Sequence, residues 1–249
     1  MVYKTLIGNS KIHLAQRELG SGTWPEFMQH DKIVEQYWPD LYNAFLRLQF
    51  ALFDQEVLVG VGNSVCLNWP KPLTDLPEAG LDWAMQKAHQ DHLEGLSPNL
   101  QVGVQILINP DYRSQGISYK MLGIMKDIAR ANGIQRMALP VRPNLKSAYP
   151  MMDMEEYIAR KNENGLPSDP WIRVHIKEGG KIIGVCRKSM TIEGSISDWE
   201  NWTGDKFTDS GEYIVDQALV PVKMNKLQDK GTYIEPNVWI VHELAYQDK

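Results

Sequence analysis

The chain has 249 residues, 43% hydrophobic and 23% charged, enough for a substantial core in one large domain or two small ones. A formal net charge of −5 argues against a general nucleic-acid binder, and two cysteines, Cys66 and Cys186, are too few for a disulfide scaffold or a cysteine metal site. No apolar run approaches a membrane span and the opening Met-Val-Tyr-Lys lacks a signal-peptide core, so no membrane partner is expected and the cytoplasm is the default compartment.

Residues 1–23 are weakly patterned, and 11–14 is expected to form a short edge strand. Residues 24–44 predict a helix in two pieces; Pro25 suits a first turn and Pro39 separates the pieces. Residues 45–53 alternate as a strand does, and 57–67 reads as its hairpin partner across an Asp54-Gln55 turn. Gly60 and Gly62 in that partner mark a bulge or the close approach of a ligand. A Pro-rich loop over 68–80 leads to a helix over 81–95. His89, Asp91, His92 and Glu94 cluster there; two histidines three apart can share a metal, but no third ligand is indicated and a solvated face is expected.

The most informative stretch is 101–131. Residues 101–108 are short and rich in Val, Ile and Leu, as a buried strand is, and Asn109-Pro110-Asp111 stops it. Then come Arg113, Ser114, Gln115, Gly116, Ile117 and Ser118, which open a helix with Ile117, Met121, Ile124, Met125 and Ile128 on one face. A helix start offers free N–H groups and a partial positive charge. Gly116 lets backbone approach a phosphate, Arg113 adds a cationic fork and Ser118 a hydroxyl. A capped turn with a solvated arginine is the plainer alternative.

Asn132-Gly133 caps that helix, and 134–141 is a strand ending near Pro140, giving a right-handed parallel crossover. Residues 142–167 are irregular, with a helix expected over 152–161 behind Asp153. Arg142, Lys146 and Tyr149 there either meet an anionic or hydroxylated ligand or ornament the surface. Ser168-Asp169-Pro170 is a strong helix start, continued over 171–178 and ended by Gly179-Gly180. A strand follows over 181–187, which 189–194 extends. Residues 197–202 form a helical turn, and 211–220 and 238–244 are late strands.

Arg113-x-x-Gly116-x-Ser118, between a strand and a helix, resembles the acyl-CoA motif of the GNAT N-acetyltransferase superfamily, Gln/Arg-x-x-Gly-x-Gly/Ala, with Ser in the last small position. The resemblance implies an α/β fold with a mixed central sheet and flanking helices. It implies a single domain over 1–249 with insertions near 68–99 and 142–168 and an elaborated C-terminal half. Acetyl-CoA or another acyl-CoA is then the co-substrate, held by residues 113–118. Backbone N–H groups at Gln105, Ile106, Leu107 and Ile108 would polarise its carbonyl.

The helix, Gly pair and strand over 168–187 are similar to the family segment Tyr-x-x-x-Gly-Phe, whose Tyr protonates the departing thiolate in many members. Counting back four from Gly179 puts His175 there, and an imidazole titrates near neutral pH. Residues 102–108 carry no carboxylate, so Glu235 and His242, flanking the last strand, are the candidate bases, ahead of Asp169 and Glu193; a water relay would make all four unnecessary. The patterns DPWxRxH, SMxIxG and YxEPNVWxxH resemble a GNAT-like group and bring no known acceptor. The implied function is acyl-CoA-dependent N-acyl transfer to a small-molecule amine, with an acyl-CoA-binding sensor as the alternative. No metal and no nucleic acid are expected, and a homodimer is compatible.

Overall fold

The computed structural model describes residues 2–20 and 23–244. Alternating apolar segments build strands β1 (Tyr3–Ile7), β2 (Phe50–Asp54), β3 (Val57–Leu67) and β4 (Leu100–Ile108), each antiparallel to the one before. Strand β5 (Arg136–Val141) runs parallel to β4, and the remaining strands are β6 (Lys181–Gly194), β7 (Gly211–Tyr213), β8 (Val222–Asn225) and β9 (Lys230–Glu243). The nine-stranded sheet has the order β1-β2-β3-β4-β5-β9-β8-β7, with β6 also paired to β9. The expected mixed sheet with flanking helices is therefore present.

Helix α1 (Ile12–Gly20) lies on one face, where Ile12 and Ala15 pack on Ala51 and Val61. Helix α2 (Lys32–Tyr37) packs on α3 (Gly80–Leu93), which in turn packs against β3 and β6. Trp69, Trp83 and Trp239 form a chain of edge-on contacts that staples α3 to β9, so the 68–99 segment belongs to the core. On the other face α4 (Ile117–Ala131) crosses β3, β4 and β5; the short α5 (Met154–Ala159) leads to α6 (Pro170–Lys177), a neighbour of α4. Helix α7 (Ile196–Thr203) follows β6, capped by Ser195 with a reciprocal Asp198 bond. Among the described residues no helix is long and apolar enough to cross a membrane.

Several sequence expectations are corrected, each for a local reason. Residues 11–14 are the turn into α1 and its start, whose buried Ile12, Ala15 and Gln16 have helical spacing; the first strand is Tyr3–Ile7. The second strand begins at Phe50, because Leu48 and Gln49 N–H close a tight turn onto Phe45 and Leu46 carbonyls. Within 211–220 only Gly211–Tyr213 pairs, with β8, while Val215, Ala218 and Leu219 are buried by packing. The last strand begins at Lys230 and runs through Pro236. Pro has no N–H to donate, and the β6 register slips between Cys186 and Met190, opposite Asn237 and Glu235.

Gly60 and Gly62 do sit near a bulge, at Val59, but they make room for protein. A Cβ on Gly62 would lie 2.2 Å from Phe50 Cε1, and one on Gly60 3.0 Å from Met121 Cε. Gly62→Ala should lower stability by about 1–3 kcal/mol through this overpacking, read as a lower denaturation midpoint at unchanged m-value.

Candidate active site

Strands β4 and β5 touch over two residue pairs only, Gln101 with Met137 and Val102 with Ala138. From Gly103 onward β4 pairs with β3 alone, and the two parallel strands part. The register explains where the gap opens. Asn63 pairs with Gln105 and Ser64 with Gly103, so Val104 is an extra residue, a β-bulge on β4 at the fork. A bulge turns backbone N–H groups away from the ladder, and here they face a gap with no strand across it. Val104, Gln105, Ile106 and Ile108 are half-buried along it, and Gln105 Nε2 is buried with no partner. Leu107 turns to the opposite wall, buried against α1. No sequence signal marked Val104.

The loop 113–118 stands at the open end of this gap. Ser114 and Gly116 both adopt left-handed backbone (φ 61° and 74°), which curls successive N–H groups inward. Gly116 is the N-cap of α4 and makes no side-chain cap bond. Among the described residues nothing accepts from the N–H groups of Gly116, Ile117 and Ser118. Gln115 Nε2 donates to the Asp111 carbonyl and braces the loop. Arg113 and Ser114 are both exposed beside it. The result is a cluster of unpaired donors at a helix start, suited to an anion such as a phosphate.

His175 and His242 come together. His175 projects from α6 onto β9, and its Nδ1 lies 3.1 Å from His242 Nε2. Both rings are buried. Burial pushes the His175 pKa well down, and the His242 ring and Lys126 ammonium act the same way. His242 falls to about 4, chiefly through burial and then Lys126. Lys126 Nζ is held by the Glu178 carbonyl and carboxylate at 2.7 and 3.0 Å. Both imidazoles are therefore neutral at neutral pH.

Glu235 does not join them. It and His242 both lie within β9 rather than flanking it, seven residues apart and on opposite faces, since side chains alternate along a strand. Tyr233, Glu235, Asn237 and Trp239 line the α3 face. Glu235 Oε2 accepts from Arg142 Nε and Tyr233 Oη, both at 3.0 Å, and Oε1 accepts from Asn237 Nδ2 at 3.0 Å. Arg142 also donates to the Gln217 carbonyl, and its pKa is held up by Glu235 against the effect of burial. Fully buried and bonded on both oxygens, Glu235 is the hub of this network.

Other polar candidates have structural duties. Asp169 caps α6 through Trp171 and Ile172 N–H and also accepts from Leu145 N–H and Tyr157 Oη. Arg173 ties back to the Pro167 and Ser168 carbonyls. Lys146 is buried rather than ligand-facing, with Nζ on the Tyr149 and Leu219 carbonyls. Glu193 pairs with Lys230, and Arg160 covers the Tyr149 ring. His89 bonds Asp40, and no group of three metal-type ligands occurs among the described residues.

Sequence reading missed one pair of carboxyls. Asp31 Oδ2 and Asp82 Oδ2 converge on a single donor, Thr191 N–H on the outer edge of β6, at 3.2 and 3.1 Å. Asp31 also caps α2. Burial and then the neighbouring Asp31 charge push the Asp82 pKa up to about 8. Nothing in the spacing of residues 31, 82 and 191 announces the meeting.

No family model matches the chain. It is 30% identical over 252 aligned residues to the arginine N-acetyltransferase avaD of Aspergillus versicolor, covering 90% of this chain and 86% of that protein. Two solved structures share the fold. The loading GNATL domain of CurA from Lyngbya majuscula superposes with a TM-score of 0.64 at 20% identity, over 98% of both chains. The GphF GNAT-like decarboxylase in complex with isobutyryl-CoA gives 0.57 at 14% identity, over 98% of this chain and 100% of that one. With the forked sheet and the donor-rich helix start, this likeness across nearly the whole chain settles the kinship: the protein belongs to the GNAT superfamily of acyl-CoA-dependent N-acyltransferases.

Proposed function

We propose that the protein binds acetyl-CoA or a related acyl-CoA in the fork between β4 and β5 and transfers the acyl group directly to the amine of a small molecule. The observation that carries this is the fork itself, bulged at Val104 and opening toward the donor cluster at 113–118. The pyrophosphate rests on the N–H groups of Gly116, Ile117 and Ser118, beside Arg113. The N–H groups of β4 between Gln105 and Ile108 that face the gap polarise the thioester carbonyl, where negative charge develops.

The amine nitrogen attacks the carbonyl carbon, the C–S bond breaks, the amine loses one proton and the thiolate gains one. His175 Nε2 is the proton donor to sulfur. Neutral at working pH, the ring gives up its Nε2 proton only as another enters at Nδ1, so that it stays neutral throughout. Water takes the amine proton, because Glu235 is already fully bonded. Arginine is the first acceptor to try, since the 30%-identical relative is named for it.

Thiol release from acetyl-CoA across a panel of amines headed by arginine tests the reading. Arg113→Ala should weaken CoA binding roughly tenfold or more, the loss of one charge-assisted contact. Gly116→Trp should abolish binding, because no protein atom lies within 4 Å of the new Cβ and the indole fills the cradle; its left-handed backbone (φ 74°) adds about 1–2 kcal/mol of local strain, so a denaturation curve accompanies the binding measurement. Unchanged CoA affinity in both variants refutes the assignment. CoA binding with no thiol release from any amine would assign binding alone.

A further inference from the structure

Two neutral imidazoles joined by one hydrogen bond hold two ring protons on four nitrogens. One proton lies in the 3.1 Å bridge between His175 Nδ1 and His242 Nε2. The other must sit on an outer nitrogen, His175 Nε2 or His242 Nδ1. Both outer atoms are buried and neither makes a well-aligned hydrogen bond, although the Glu178 backbone beside His242 partly offsets the fall of its pKa. A buried donor left so costs about 1–3 kcal/mol. As mere packing, the pair is therefore a poor choice.

The fold nevertheless presses the two rings together. A Cβ on Gly180 would lie 2.8 Å from His242 Cε1 and 2.7 Å from the His175 carbonyl oxygen, so only glycine admits this approach. Trp171 packs edge-on against His175, with ring centroids 4.3 Å apart. From α4 the Lys126 ammonium, anchored on Glu178, disfavours positive charge on either ring. The pair cannot store a proton as imidazolium near neutral pH. It can pass one.

We infer that His175 and His242 form a two-imidazole proton wire, in which His242 is a positioning residue that sets the His175 tautomer and resupplies its proton. This rests on the reading of His175 as proton donor to the thiolate. At rest His242 Nε2–H donates to His175 Nδ1, which leaves the His175 proton on Nε2. As the C–S bond breaks, sulfur takes that proton. The bridging proton transfers from His242 Nε2 to His175 Nδ1, and one proton from water enters at His242 Nδ1. One proton enters, one leaves, and both rings remain neutral with tautomers exchanged. The reverse passage, from water at His175 Nε2 to water at His242 Nδ1, resets the pair.

The test uses the whole protein. In nitrogen-15 NMR of the free enzyme both rings should be neutral Nε2–H tautomers between pH 6 and 8, as the neutral form requires; a His242 Nδ1–H tautomer overturns the wire. His242→Gln keeps a donor toward His175 Nδ1 but cannot relay. Its kcat should fall roughly tenfold or more, with KM for acetyl-CoA unchanged, and its solvent-isotope proton inventory should change from curved to linear. Wild-type kcat and curvature in His242→Gln, with His175→Gln slow, overturns the wire and leaves the donor role standing. Wild-type kcat in His175→Gln overturns the donor role itself. Acetyl-CoA titration checks the fold of each variant; if His242→Gln does not fold, the tautomers in the wild-type protein decide.

Discussion

Glu235→Leu should cost about 3–5 kcal/mol of folding stability, the usual penalty for breaking a buried ion pair from one side. Arg142 Nε and Tyr233 Oη lose their acceptor at once, and Asn237 Nδ2 keeps only the Pro236 carbonyl. The Arg142 guanidinium stays charged in a site where its side chain is only 19% exposed. The loss should be read by chemical denaturation, as a lower midpoint at similar m-value. The double variant Glu235→Leu/Arg142→Met should recover most of it, because no unpaired charge is then left behind. A double variant as unstable as the single one would mean that the Tyr233 and Asn237 bonds, not the ion pair, carry the cost.

The Asp31–Asp82 pair should make stability fall as pH rises. Asp82 titrates near 3.8 when unfolded and at about 8 when folded. Between these values the folded chain binds more protons than the unfolded one, so unfolding free energy decreases with increasing pH. The stabilisation is complete below pH 4 and gone above pH 8, a change of several kcal/mol. Asp82→Asn removes the need for the shared proton while still offering a donor to Asp31. That variant should be less sensitive to pH and more stable than the wild type above pH 8. Melting curves from pH 5 to 9 for both proteins check this; parallel profiles would show that the two carboxyls do not share a proton.

Where chemistry was local, the sequence could be read. The strand, loop and helix over 100–131 follow from a Val/Ile/Leu run, a proline stop and a three- and four-residue apolar period. The Asp169 cap and the glycine end of α6 were equally plain. Legibility ended where function depends on register. A one-residue excess at Val104 arises from pairing with β3, which no stretch of β4 encodes by itself. The same holds for Asp31, Asp82 and Thr191, joined only after α2, α3 and β6 have packed. The 211–220 run misled because its apolar residues serve packing rather than a ladder, and β9 was shortened by Pro236, which a register slip accommodates.

The pattern DPWxRxH gains a physical meaning residue by residue. Asp169 caps, Pro170 opens the helix, Trp171 packs on a ring, Arg173 ties back the preceding carbonyls, and His175 meets His242. The signature YxEPNVWxxH divides between two faces of one strand: Tyr233, Glu235, Asn237 and Trp239 on one side, His242 on the other. Their spacing is thus a record of alternation as much as of chemistry.

The two-pair contact between β4 and β5 makes the sheet mechanically a pair of leaves, β1 to β4 and β5 to β9, joined by a narrow hinge. Helices α4 and α3 strap the leaves from opposite faces. Amides on the open edge of β4 beyond Val102 should exchange with deuterium faster than those facing β3. A ligand bearing its own amides, laid in the fork, would act as a splint. It would slow that exchange, stiffen the hinge and convert the two leaves into one continuous board, so that binding is felt as rigidity far from any atom it touches.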